Sequence, residues 1–132
     1  MSDTKTLLEK AKNGFYELKY PEKYTSSALK FLEKWLTYPQ FAEYVLQIEY
    51  LIGSGSWNLL LDSFYQVIPF GTGGRRGTVG IGPNRINPWT IRASAQGHGQ
   101  YLLKQFGENA REKGVVLTYD VRKYTEKGVY DD

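Results

Sequence analysis

The sequence predicts an α/β protein with a helical N-terminal region, and three observations support this fold class. Apolar residues recur every three or four positions as far as about residue 64, which is typical of helices packed on one face. Glycine becomes frequent from residue 70 onward. A helical pattern from residue 87 is then followed by a short apolar run, the order found in open α/β sheets. We therefore divide the chain into a helical extension, residues 1–64, and the first part of an α/β domain, residues 65–132.

Four helices are predicted in the extension. The first contains Gly14 as a break, and the second begins near Thr25 or Ser26, both good N-cap residues. The third follows Pro39, and Ser56 caps a short fourth. Core packing is the expected role of their apolar faces. Together with one residue of the later apolar run, these faces predict the following buried residues: Trp35, Leu36, Val45, Ile48, Leu51 and Leu117.

A fifth helix is predicted between residues that are typical of helix ends. Asn87 is its N-cap, Pro88 its first residue, and Gly107 its C-cap. Gly97 and Gly99 lie in its interior, where each costs about 1 kcal/mol relative to alanine. We therefore expect another part of the protein to pack closely against them.

Two strands are predicted around this helix. The stretch "GRRGTVGIG" alternates enough to be a strand that enters and leaves a glycine-rich loop, and Val115 to Tyr119 is expected to form a buried strand. Ligands of open α/β sheets bind at the carboxyl ends of strands, which is where Asp120 and Arg122 would lie.

The stretch from Phe70 to Arg92 is the most unusual part of the sequence. It holds six of the chain's fourteen glycines and four arginines but no acidic residue. The dinucleotide-binding motif fails because Arg76 replaces its third glycine, and the P-loop motif fails because Pro83 and Asn84 replace its lysine and hydroxyl residue. Two interpretations stay open. The loop either receives an anion such as phosphate or is a tight connection with solvated arginines.

Composition limits the classes of function. The chain has no cysteine, which excludes disulfides and cysteine-based metal sites and is compatible with a cytoplasmic location. A net charge of +3 is too small to indicate nucleic acid by itself, and no apolar run reaches membrane-spanning length. His98 is expected to be a helix-face residue, because no nucleophile or orienting acid accompanies it at a recognisable spacing.

The loop and its neighbours resemble the α-D-phosphohexomutases, the phosphoglucomutase and phosphomannomutase family. Residues 70–77 match the family motif F-G-T-x-G-x-R-G, and residues 82–87 match G-x-N-R-M-N with Ile86 in place of methionine. The helix keeps the glycine of T-x-G but has Ala95 in place of the threonine, and residues 119–122 match Y-D-x-R. The helical lead resembles a subgroup of the family that has an N-terminal helical extension.

This resemblance implies a three-layer α/β/α domain I from an enzyme that interconverts hexose 1-phosphate and hexose 6-phosphate through a phosphoserine. It implies Mg²⁺ and a hexose 1,6-bisphosphate as cofactors of the full-length protein, and a phosphosugar and the remaining mutase domains as partners. Neither nucleic acid nor a membrane is expected as a partner. Arg76 takes the role of the arginine beside the phosphoserine. The implied phosphate-binding residues are Thr72, Gly73, Gly74, Arg76, Arg85 and Arg122.

Two further family motifs, T-A-S-H-N-P with the phosphoserine and the metal loop D-G-D-x-D-R, do not occur in these 132 residues. We therefore expect an incomplete domain I, truncated before the phosphoserine loop, that binds no metal or cofactor and is inactive by itself. The alternative is a non-catalytic anion- or protein-binding α/β module that retained the glycine and arginine loop. The sequence carries no specificity loop that would distinguish glucose from mannose.

Overall fold

The computed structural model describes residues 3–119. These residues form a series of helices and, within this range, no β-strand, only two isolated bridges, Gly71 with Gly74 and Val79 with Ile86. The helices are α1 (Thr4–Glu17), α2 (Glu22–Thr37), a 3₁₀ helix (Pro39–Tyr44), α3 (Val45–Gly53), α4 (Trp57–Phe64), α5 (Pro88–Phe106) and α6 (Asn109–Lys113). None of the helices in this range combines the length and apolar character that crossing a bilayer requires.

The chain forms two compact units, and the boundary between them follows Asn87. The first unit contains α1 to α4 and the glycine-rich loop, and the second contains α5 and α6. The division after residue 64 into a helical extension and the first part of an α/β domain stays a prediction.

An aromatic cluster centred on Trp35 forms the core of the first unit. The Trp35 ring stacks on Phe41 with centroids 4.4 Å apart, and it meets Phe64 edge-on at 5.5 Å. The centroid of the Tyr44 ring lies 4.9 Å from the centroid of the Trp35 ring. All four side chains are buried. Because aromatic side chains bury large apolar areas, this cluster is a main source of the unit's stability.

The predicted core is confirmed at two positions and wrong at one. Trp35 is 1% exposed and Ile48 is 0% exposed. Leu36, Val45 and Leu51 are half-buried. Leu117 is 87% exposed, which contradicts its predicted burial.

Two of the predicted helix starts need correction. The second helix begins at Glu22, immediately after Pro21, and Thr25 lies within its first turn with its hydroxyl donating to the Glu22 carbonyl at 3.1 Å. After Pro39 the chain first forms the 3₁₀ helix and becomes α-helical only at Val45. Ser56 does precede α4, but its side chain makes no capping hydrogen bond and lies 2.9 Å from the Ser54 hydroxyl.

Gly14 lies inside α1, so the prediction that it breaks the first helix is wrong. It is buried, and a Cβ atom built at this position would overlap the indole ring of Trp57 at the start of α4. The absence of a side chain therefore lets α1 and α4 pack closely. Helical periodicity cannot reveal this role, because the partner residue is distant in sequence.

Replacing Gly14 with alanine is expected to lower the free energy of unfolding by about 1–3 kcal/mol, because the indole of Trp57 must move. Gly53→Ala is the matched control in the same unit: Gly53 ends α3, and no atom lies within 4 Å of its ideal Cβ. Denaturant unfolding followed by circular dichroism compares the two variants. If Gly14→Ala is as stable as Gly53→Ala, the close packing of α1 on α4 is contradicted.

The second unit begins with the predicted fifth helix, whose bounds are confirmed. Pro88 is the first residue of α5, and Gly107, with φ +57°, ends it by donating its N–H to Leu103 at 2.8 Å. α6, which was not predicted, follows. The close neighbour expected at Gly97 and Gly99 is absent from the described part of the chain, since no atom there lies within 4 Å of either ideal Cβ.

The predicted buried strand from Val115 to Tyr119 does not form. These residues have no regular secondary structure, and Val116 and Tyr119 are 92% and 98% exposed. An isolated strand is unstable in water unless other strands pair with it, and the described residues supply no such strand. The stretch "GRRGTVGIG" likewise contributes only the bridge at Val79. The α/β part of the predicted fold class is therefore not confirmed by the described residues.

Candidate functional site

The candidate site is built on a tight turn from Gly71 to Gly74. The Gly71 N–H donates to the Gly74 carbonyl at 2.8 Å, and the Gly74 N–H donates to the Gly71 carbonyl at 3.4 Å. Gly74 has φ +127°, a region that side chains disfavour and glycine adopts readily. These bonds do not use the N–H groups of Thr72 and Gly73 at the tip. The turn therefore presents exposed backbone of the kind that can approach an anion closely.

This turn and one arginine border a depression of about 310 Å³. Pro69 and the turn form its apolar and backbone walls, and Arg76 is the charged side chain among the lining residues. Arg76 is exposed, as are Thr72 and Gly73, whereas Gly74 is half-buried. A guanidinium beside free backbone donors is suited to bidentate contact with phosphate oxygens.

Arg85 is placed differently from Arg76. Its side chain is 9% exposed, and its Nη2 lies 2.5 Å from Oδ2 of Asp62, a carboxylate that is 58% exposed. Its Nη1 also donates to the Asn84 carbonyl at 3.3 Å. The Asp62 carboxylate already neutralises the charge of Arg85. The geometry therefore indicates that Arg85 holds the loop in place. Its contact with phosphate stays a prediction.

Asn84 attaches the second half of the loop to the end of α4. Its N–H donates to the Ser63 carbonyl at 3.0 Å, and its Nδ2 donates to the Asp62 carbonyl at 2.7 Å. The Gln66 Nε2 donates to Oδ1 of the same asparagine at 3.1 Å. The carboxyl end of α4 thus fixes the loop through both backbone and side-chain bonds.

Gly82 makes this attachment possible. It has φ +101°, and a Cβ atom there would overlap the Ser63 carbonyl oxygen. Only glycine satisfies both constraints, which explains this glycine of the motif without reference to a ligand.

Asn87 closes the loop on itself. Its Nδ2 donates to the carbonyls of Gly80 and Gly82, each at 2.9 Å. The Ile86 N–H donates to Thr78 at 2.9 Å. Residues 82–87 therefore form the support of the site, and residues 71–73 with Arg76 form its exposed part.

Sequence reasoning missed the residues in α4 and directly after it that hold the loop. Asp62, Ser63 and Gln66 carry no motif of their own. The one available signal was that Asp62 is the last acidic residue before an interval, ending at Glu108, that is otherwise rich in arginine and lysine.

Four other residues singled out from the sequence either do not line the depression or lie outside the described range. Arg75 is half-buried and does not line the depression. His98 is exposed on α5, as expected for a helix-face residue. Asp120 and Arg122 lie outside the described residues. Within residues 3–119, no three side chains of His, Cys, Asp or Glu come together as a set of metal ligands.

Comparison with known proteins places the loop in a recognised sequence family. Residues 67–129 match the family model described as phosphoglucomutase/phosphomannomutase, alpha/beta/alpha domain I. Phosphopentomutase of Homo sapiens is 33% identical over 95 residues, which are 72% of this chain and 15% of that protein. Glucose 1,6-bisphosphate synthase of Mus musculus is 34% identical over 89 residues, 67% of this chain and 14% of that protein.

A bacterial relative is similar over a shorter segment. Phosphoglucomutase of Staphylococcus saprophyticus is 42% identical over 59 residues, 45% of this chain and 10% of that protein. The chain thus spans only a small part of the length of each of these relatives. No solved structure matches the chain with significance.

Proposed function

Because this chain belongs to the α-D-phosphohexomutase family through its domain I segment, residues 67–129, we propose that it supplies part of the phosphate site of a phosphosugar mutase. The proposed enzyme interconverts hexose 1-phosphate and hexose 6-phosphate through a phosphoserine. The observation that carries the proposal is the exposed Arg76 guanidinium beside the glycine turn at residues 71–74.

Phosphoryl transfer depends mainly on positioning the phosphate and neutralising its charge. In our proposal the Arg76 guanidinium donates two N–H groups to non-bridging oxygens of the transferring phosphoryl group. The tip N–H groups of Thr72 and Gly73 supply further donors that need no reorganisation. The support formed by Asp62, Asn84 and Arg85 keeps the loop in position while the charge moves.

We also propose Mg²⁺ and a hexose 1,6-bisphosphate as cofactors of the full-length protein. Neither is assigned to residues 3–119. Those residues provide no carboxylate cluster that fits Mg²⁺, so we assign no ligand of the metal to them and derive no step through it. The names of the three relatives all refer to a phosphorylated sugar. We therefore propose a phosphosugar as the substrate class, the other mutase domains as partners, and the cytoplasm as the location.

The 132-residue chain by itself is expected to have no mutase turnover, because its sequence contains no T-A-S-H-N-P motif to supply the phosphoserine. The assay couples formation of glucose 6-phosphate to its oxidation, with glucose 1-phosphate, glucose 1,6-bisphosphate and Mg²⁺ present. A phosphoglucomutase of known activity, added to the same mixture, is the positive control. Clear turnover by the purified chain would overturn this expectation.

The coding sequence beyond residue 132 tests the proposed enzyme itself. If it contains T-A-S-H-N-P, the longer protein should show turnover in the same assay. A longer protein that binds phosphate but lacks both the motif and turnover would instead support the alternative, a non-catalytic anion-binding module.

A further inference from the structure

The helical part of the first unit contains a pocket that shares only Asp62 with the mutase proposal. Its volume is about 310 Å³. Tyr20 follows α1, Tyr24 lies in α2, and the other lining residues lie on α4 or directly after it. The complete lining is Tyr20, Tyr24, Asn58, Leu61, Asp62 and Tyr65.

Two tyrosine rings form perpendicular walls of this pocket. The centroids of Tyr24 and Tyr65 are 5.5 Å apart, and the ring planes meet at 82°. The faces of aromatic rings are electron-rich and attract cations. A cation already contacts one ring of this pair, since Nζ of Lys23 lies 4.8 Å from the Tyr24 centroid.

The polar groups of the pocket also favour positive charge. Its lining contains the Asp62 carboxylate and the Asn58 amide, and no lysine, arginine or histidine. Oδ2 of Asp62 holds Arg85, so Oδ1 is the oxygen that we assign to a ligand. Arg85 neutralises part of this carboxylate, so the attraction for a cation also depends on the tyrosine rings.

We propose that this pocket binds an organic cation, a guanidinium group on a short alkyl stem. An anion is disfavoured as the occupant, because the lining contains a carboxylate and no basic residue. The volume fits a group the size of one side chain. Such a cation comes either from a free small molecule or from an arginine side chain of a partner protein. The inference does not depend on the proposed mutase function.

The test is a titration of the ¹⁵N-labelled 132-residue chain, followed by amide chemical shifts, with n-propylguanidinium as the probe. n-Propylurea, which has a similar shape and no charge, is the control compound. We expect saturable shifts around Tyr24, Asn58 and Tyr65 with the guanidinium compound alone. Equal shifts with n-propylurea would overturn the proposal.

Two tyrosine variants assign the binding to the pocket. Tyr20→Ser should weaken binding about ten-fold, since a cation–π contact contributes on the order of this factor. Tyr20 is 52% exposed, so the variant is expected to fold, and its amide dispersion checks this. Tyr16→Ser is the matched control, because Tyr16 is 87% exposed and does not line the pocket. Equal affinity in both variants would contradict the assignment.

A blocked tripeptide with a central arginine distinguishes the two sources of the cation. Tighter binding of the peptide than of n-propylguanidinium supports an arginine of a partner protein, and equal binding supports a small molecule. Both results uphold the cation site. Failure of the peptide and of n-propylguanidinium to bind would overturn it, while phosphate binding at the glycine turn would be unaffected.

Discussion

Replacing Arg76 with alanine, in a phosphomutase that contains residues 1–132, is expected to lower kcat about 30- to 1000-fold. This range corresponds to the loss of one charge-assisted contact with phosphate, about 2–4 kcal/mol. KM should change little, because the contact strengthens as charge develops in the transition state. The side chain is exposed at the edge of the depression, so its removal should leave the fold intact.

Arg75→Ala is the matched control for this experiment. Arg75 is adjacent in sequence and has the same charge, but it is half-buried and does not line the depression. It should therefore retain most of the kcat of the unmodified enzyme. If Arg75→Ala loses its activity and Arg76→Ala does not, the assignment of the catalytic arginine is wrong. If neither variant loses activity, the arginines of this loop have no role in catalysis.

Replacing Ile48 with alanine is expected to lower the free energy of unfolding by about 2–5 kcal/mol. Ile48 is 0% exposed on α3, a helix that packs against α1, α2, α4 and the 3₁₀ helix. Removing its side chain leaves a cavity that these rigid neighbours cannot fill completely. Denaturant unfolding of the 132-residue chain measures the loss.

Leu46→Ala is the matched control for Ile48, because Leu46 lies on the same helix and is 74% exposed. Its effect should stay within about 0.5 kcal/mol, as for ordinary surface substitutions. Equal losses in the two variants would show that the buried face of α3 has been assigned wrongly.

The helices were predictable from sequence because their determinants are local. Apolar periodicity revealed the faces that contain Trp35 and Ile48, and Pro88 and Gly107 marked the ends of α5. The role of Gly14 was not predictable, since it depends on the Trp57 ring of another helix. Residues 115–119 have the composition of a buried strand, but a strand also needs neighbours that no local pattern can specify.

Glycine density and positive charge singled out residues 70–92, and the family resemblance implied which of them bind phosphate. Thr72, Gly73, Gly74 and Arg76 line one depression, and their contact with phosphate stays a prediction. The different placement of Arg85 was not predictable, because its partner, Asp62, is 23 positions away in the chain. Two arginines of one loop are alike in sequence, and only the fold distinguishes the exposed one from the ion-paired one.

Phosphate binding by the glycine turn tests the central claim most directly. The measurement is a titration of the ¹⁵N-labelled 132-residue chain with inorganic phosphate at constant ionic strength. We predict saturable amide shifts at Thr72, Gly73, Gly74 and Arg76, lost in Arg76→Ala and retained in Arg75→Ala. Unchanged shifts in Arg76→Ala would contradict the claim that this turn and this arginine together receive a phosphate.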